Sequence, residues 1–96
     1  MNNRTFAAAV QMEELGHRAQ TDIKRMARMA KFDTHMCYAH EEDAERHFES
    51  AAQMLREAGE LIAKGAAELM LGYSKLDSAT ADDQEVLSGY ARNFLS

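Results

Sequence analysis

The stretch "AERHFESAAQMLREAGELIAKGAAEL", Ala44 to Leu69, carries apolar residues at Ala44, Phe48, Ala51, Leu55, Ala58, Ile62, Gly65 and Leu69, alternating steps of four and three. A heptad sustained in this way keeps one stripe of an α-helix turned toward a partner helix. One seam position is always small (Ala44, Ala51, Ala58, Gly65) and the other always large (Phe48, Leu55, Ile62, Leu69). A partner helix can approach closely beside the small row while the large row interdigitates. The helix is expected from about residue 35 to residue 73, roughly 58 Å at 1.5 Å per residue. Gly59, Gly65 and Gly72 each weaken it by about 1 kcal/mol against alanine, so a kink or split near 59–65 is the alternative.

Upstream, Met12, Leu15, Ala19, Ile23, Met26 and Ala30 follow steps of three and four, which predicts a first helix over about 6–32 with Thr5 as N-cap. "KFDTH" then reads as a break, with Asp33 or Thr34 capping the next helix, and so short a connection makes the two helices antiparallel. Downstream, "TADDQEVLSGYARNFL" predicts a third helix over about 81–95, with Thr80 as N-cap and Asp82 and Asp83 in the first turn. The expected fold is therefore all-α: a single domain over 1–96, an antiparallel hairpin with a C-terminal helix folding back. In this reading helices 1 and 3 each cover one half of helix 2.

Composition agrees. The 96 residues contain no proline and five glycines, and 46% are hydrophobic. That profile suits a chain that is helical nearly throughout and near the size where one core suffices. No apolar run is long enough for a signal-peptide core or a membrane span, which leads to the expectation of a soluble cytoplasmic protein. The formal charge of −5 opposes bulk attraction to nucleic acid or an anionic membrane. The charges are segregated: Arg18, Lys24, Arg25, Arg28 and Lys31 stand against Asp22 alone, while Glu41, Glu42, Asp43, Glu45 and Glu49 stand against Arg46. Antiparallel packing is expected to set the basic run beside the acidic one, with modest stabilisation of about 0–1 kcal/mol per exposed pair.

The segment "THMCYAHEEDAERHFES", 34–50, gathers three of the four histidines and the only cysteine. On a helix these residues do not converge. His40 and His47 are seven positions apart, roughly 10.5 Å along an axis, too far to share one ion. The partial chelates Cys37 with His40 and Asp43 with His47 lack further ligands, and a thiol on a packed helix is shielded from substrate. No glycine pattern forms a phosphate loop. No catalytic residue, metal or cofactor is assigned.

Arg18, Arg25 and Arg28 share one side of helix 1 and can track phosphates, but only Phe32 offers a stacking ring nearby, so pairing with the acidic helix is the simpler account. Of the seven methionines, Met12 and Met26 sit in the stripe of helix 1 and are expected in the core. Met29, Met36, Met54 and Met70 lie off the main seams and, with Leu61, are the candidate protein-interaction residues.

Helix 2 is apolar over an arc wider than one stripe: Met54, Leu61 and Met70 add to the seam, and Leu71 and Tyr73 extend it. Two hairpins pairing about a two-fold axis would cover that surface, so a helical-bundle homodimer is expected. The spacing of Ala44, Phe48 and Ala51 also occurs in tetratricopeptide repeats, but no matching repeat period appears. In profile rather than motif, the chain resembles small acidic helical dimers such as secretion chaperones and phage or plasmid accessory proteins that block a host machine. The expected function is non-enzymatic: a small helical adaptor, chaperone or inhibitor acting on a protein partner whose identity the sequence does not carry. The alternative is a metal-responsive or nucleic-acid-binding helical regulator.

Overall fold

A computed structural model of the chain describes residues 1–37 and 40–96. Three helices follow one another: α1 (Asn3–Met36), α2 (Glu42–Ser74) and α3 (Ala81–Leu95), with no strand among the described residues. α1 and α2 form an antiparallel hairpin that sets the 61 Å length of the molecule against a cross-section of 16 × 16 Å. α3 folds back and packs chiefly on α2. The all-α hairpin with a returning third helix is what the periodicity predicts.

Boundaries moved where local chemistry outweighed pattern. α1 begins two residues before Thr5, because the Asn2 side chain accepts the Thr5 N–H at 2.8 Å and takes the N-cap role. α1 also runs through the expected break. The Thr34 hydroxyl donates to the Ala30 carbonyl at 2.9 Å within the helix, so it is not free to cap a second one. Of the expected helix over 35–73, Tyr38 and Ala39 lie outside the described residues, and the second helix starts at Glu42. Its N-cap, Glu41, makes no side-chain cap bond, but Glu42, Asp43 and Glu45 place carboxylates at the positive end of the helix. α2 continues unbroken through Gly59 and Gly65, so the split does not occur.

α1, at 34 residues, runs beside the whole of α2, at 33, and does not share α2 with α3 as expected. The 15-residue α3 covers only the open end of the hairpin. The core lies there: Ala9 from α1, Ala67 and Met70 from α2, and Leu87, Ala91 and Phe94 from α3, with Ala66, Leu71, Tyr73 and Tyr90 packed around them. Toward the α1–α2 turn the buried apolar residues are Ala30 and Ala52, two small side chains between two helices. Met12 and Met26, expected in the core, are exposed instead, because α2 meets α1 through a neighbouring row.

That row corrects the expected seam. A Cβ added at Gly16 would lie 3.3 Å from Ala66 Cβ, and one at Gly59 would lie 3.4 Å from Ile23 Cγ2. The row of α2 that meets α1 is therefore Ala52, Gly59 and Ala66, one residue later than Ala51, Ala58 and Gly65. Both rows are small, so either would admit close approach. The docking of α3 favours the later row: Ala67 and Met70 of α2 share a buried cluster with Leu87, Ala91 and Phe94 of α3, which draws the buried arc of α2 to that side.

α3 is fixed at its start by a reciprocal capping box. The Thr80 hydroxyl accepts the Asp83 N–H at 3.1 Å, and the Asp83 carboxylate accepts the Thr80 N–H at 2.9 Å. The Met1 ammonium also donates to that carboxylate at 2.9 Å. The ammonium bond, followed by the Thr80 N–H, holds the Asp83 carboxyl below its ordinary pKa. A carboxylate whose folded pKa is depressed contributes stability above its unfolded pKa, and the contribution is lost as pH falls through the folded value. Thermal melts should therefore show Thr80→Ala destabilised by about 1 kcal/mol. Wild type should lose the Asp83 contribution as pH drops below the usual aspartate range, and Asp83→Asn should show a flatter acid dependence. An acid limb unchanged in Asp83→Asn would contradict the box.

Candidate interaction surface

The histidine-rich segment is divided between two helices, with residues 34–36 ending α1 and residues 42–50 opening α2. Cys37 is the C-cap of α1, half-buried, and its Sγ donates to the Asp33 carbonyl at 3.3 Å. Desolvation, then the nearby carboxylates of Glu41, Glu45 and Asp33, push its thiol pKa up, the opposite of what nucleophilic activation requires. The Asp43 carboxylate is held by Arg46 within the same helical turn. His17, far from the segment, has a packing role: its ring stacks on Phe94 at 4.3 Å and 20°, and its Nε2 pairs with Glu13 at 2.8 Å. Among the described residues no group of three His, Cys, Asp or Glu side chains is placed to hold a metal ion. No helix among them is long and apolar enough to cross a membrane.

Four of the five candidate interaction residues are at the surface: Met29 is 61% exposed, Met36 58%, Met54 64% and Leu61 69%. The fifth, Met70, is fully buried. It belongs to the core that joins α2 to α3, in one buried cluster with Leu87 and Phe94. Its place off the heptad seam marks the α3 side, a meaning the period of helix 2 alone does not carry.

Among the described residues no ion pair joins Arg18, Lys24, Arg25, Arg28 or Lys31 to Glu42, Asp43, Glu45 or Glu49. The register explains why. Gly16 opposite Ala66 and Ile23 opposite Gly59 set Lys24 and Arg28 beside the middle of α2, while the acids cluster at its beginning. Reversing Arg25 and Arg28 to glutamate therefore breaks no ion pair with Glu42, Asp43, Glu45 or Glu49.

Two uncovered surfaces result, one on each side of the hairpin. On the α3 side, beyond the end of α3, an open groove of about 500 Å³ runs between the α1 and α2 backbones. Ile23, Ala27, Leu55, Gly59 and Ala63 form its floor, Phe94 and Ser96 lie at one end, and Lys24, Arg28 and Lys31 line its α1 edge. On the opposite side, Met12, Ala19 and Met26, seven apart on α1, share a flank with Leu15. They lie beside the second small row of α2, Ala51, Ala58 and Gly65, with Ile62 and Leu69. Met12, Leu15, Met26, Gly65 and Leu69 are exposed and Ala51, Ala58 and Ile62 half-buried. The sequence reading missed the groove. The available signal was length: a third helix of about 15 residues cannot cover a hairpin twice as long.

No protein-family model, curated protein or solved structure matches the chain.

Proposed function

We propose that this protein is a non-enzymatic protein-interaction module, a small helical adaptor, chaperone or inhibitor that works as a homodimer. One observation carries the reading: the chain buries few large side chains and exposes many. Among the described residues the largest fully buried side chains are Met70 and Leu87, whereas Met12, Leu15, Met26, Met29, Phe32, Met36, Met54, Leu61 and Leu69 of the hairpin are exposed. Scattered single hydrophobes need no account, but a continuous apolar flank on a soluble helix pair does.

The flank opposite α3 fits a second copy. The spare small row of Ala51, Ala58 and Gly65 permits backbone approach, and the methionines and leucines beside it supply the side chains that interdigitate. A face within the 61 × 16 Å outline is on the scale of the ~800 Å² per partner that standard interfaces bury. Two hairpins packed back to back about a two-fold axis make a four-helix layer and leave both grooves open. Sedimentation at micromolar concentration is expected to give twice the 10.8 kDa chain mass. Leu15→Glu combined with Leu69→Glu, adjacent across the hairpin in the observed register, should return it to the monomer, and Leu61→Glu at the rim should weaken it. A wild-type species of single-chain mass would overturn the dimer.

A further inference from the structure

The geometry points to the open groove beyond α3 as the docking site for a short, acidic, amphipathic helix of a protein partner. This inference rests on the protein-interaction reading and specifies the partner's chemistry.

The groove continues the seat of α3. At the open end of the hairpin a helix already lies in this cleft, burying Leu87, Ala91 and Phe94 against α1 and α2. Past Phe94 the same cleft continues, uncovered by the described residues. Its floor remains of the kind that receives a helix: Ala27, Gly59 and Ala63 leave room, and Ile23 and Leu55 supply apolar walls. From Gln20 to Lys31 the α1 wall is about 17 Å long, enough for roughly three helical turns.

Charge decides which helix. Lys24, Arg28 and Lys31 on the α1 edge and Arg56 on the α2 edge face one acid, Glu60. Among the described residues Lys24, Arg28, Lys31 and Arg56 form no ion pair. A basic rim around an apolar floor complements a helix with large aliphatic side chains at i, i+4 and i+7 and carboxylates on both flanks. Nucleic acid fits less well. The floor is aliphatic, Phe94 is buried against His17 and unavailable for base stacking, and the chain as a whole carries −5.

The test is fluorescence anisotropy with a labelled peptide of about twelve residues, leucines at i, i+4 and i+7 and glutamates beside them. A second peptide replaces the glutamates with lysines, and a single-stranded oligonucleotide matches the charge of the first. The acidic peptide should bind at micromolar concentration, at least tenfold more tightly than the lysine peptide, and weaken as salt rises. Lys24→Glu with Lys31→Glu, both at exposed positions, should remove that preference. Ala27→Trp should fill the floor and abolish binding with helicity retained by circular dichroism; should it fail to fold, the rim variant decides alone. Equal binding of the two peptides, tighter binding of the oligonucleotide, or a rim reversal without effect would overturn the proposal. So would an Ala27→Trp chain that turns monomeric, since the groove would then be the contact between copies. Sedimentation in parallel separates the readings: a dimer that binds no peptide overturns the groove alone, and a monomer that binds it overturns the dimer alone.

Discussion

Leu87→Ala is expected to cost about 2–5 kcal/mol in chemical denaturation, a large part of the ~5–15 kcal/mol that holds a typical small domain folded. Leu87 is fully buried and shares one core cluster with Met70 of α2 and Ala9 of α1. Truncation leaves a cavity whose walls are set by α1 and α2, so the site cannot collapse without moving α3 as a whole. The loss should appear as early release of α3, seen as a drop in helicity before the hairpin melts. A matched change at Leu61, 69% exposed, should stay within about 0.5 kcal/mol of wild type in the monomeric background. If the two substitutions cost the same, α3 is not docked as described.

Glycine substitutions should divide by sign. In an exposed helix interior, Gly→Ala gains up to about 1 kcal/mol because alanine loses less backbone entropy on folding. Gly72→Ala should show that gain, since nothing lies within 4 Å of an added Cβ. Gly16→Ala should not. Its Cβ would come 2.7 Å from Cε1 and Cζ of Phe94 and 3.3 Å from Ala66. The Phe94 ring is buried and stacked on His17, so it has little room to retreat. Gly16→Val, larger still, should cost about 1–3 kcal/mol through overpacking and push the end of α3 off the hairpin. The same displacement would lengthen the groove, so Gly16→Val with hairpin helicity retained should also change how a helix docks there. A stabilised Gly16→Ala would refute the contact between Phe94 and the α1 backbone.

Both predictions concern α3, because the other half of the molecule has little to lose. Toward the α1–α2 turn the hairpin is two helices thick and, among the described residues, buries only Ala30 and Ala52. Stability is concentrated where α3 docks, and past the end of α3 the groove between α1 and α2 stays uncovered. That asymmetry is where the candidate site comes from.

Several parts of this arrangement are legible in the residues alone. The absence of proline and the sustained three-and-four spacing make three helices unavoidable, because no other regular structure keeps those positions on one face. Thr80 with Asp83 three residues later announces the start of α3, since the cap bonds are local and need no tertiary partner. The exposure of Met29, Met36, Met54 and Leu61 follows from their distance from any stripe. What only the tertiary structure decided is which stripe is inside. α2 carries adjacent small pairs, Ala51-Ala52, Ala58-Gly59 and Gly65-Ala66, whose members differ by about 100° around the axis. Each member makes an equally good heptad row. Burial depends on the sum of all neighbours: Ala52 is buried and Gly59 and Ala66 lie against α1, while Gly65 is exposed, Ala51 and Ala58 are half-buried, and α3 shares a core with Met70 of α2. The groove has the same origin: it lies where α3 stops, and a helix's reach over its neighbours is a property of packing that no single segment's periodicity encodes.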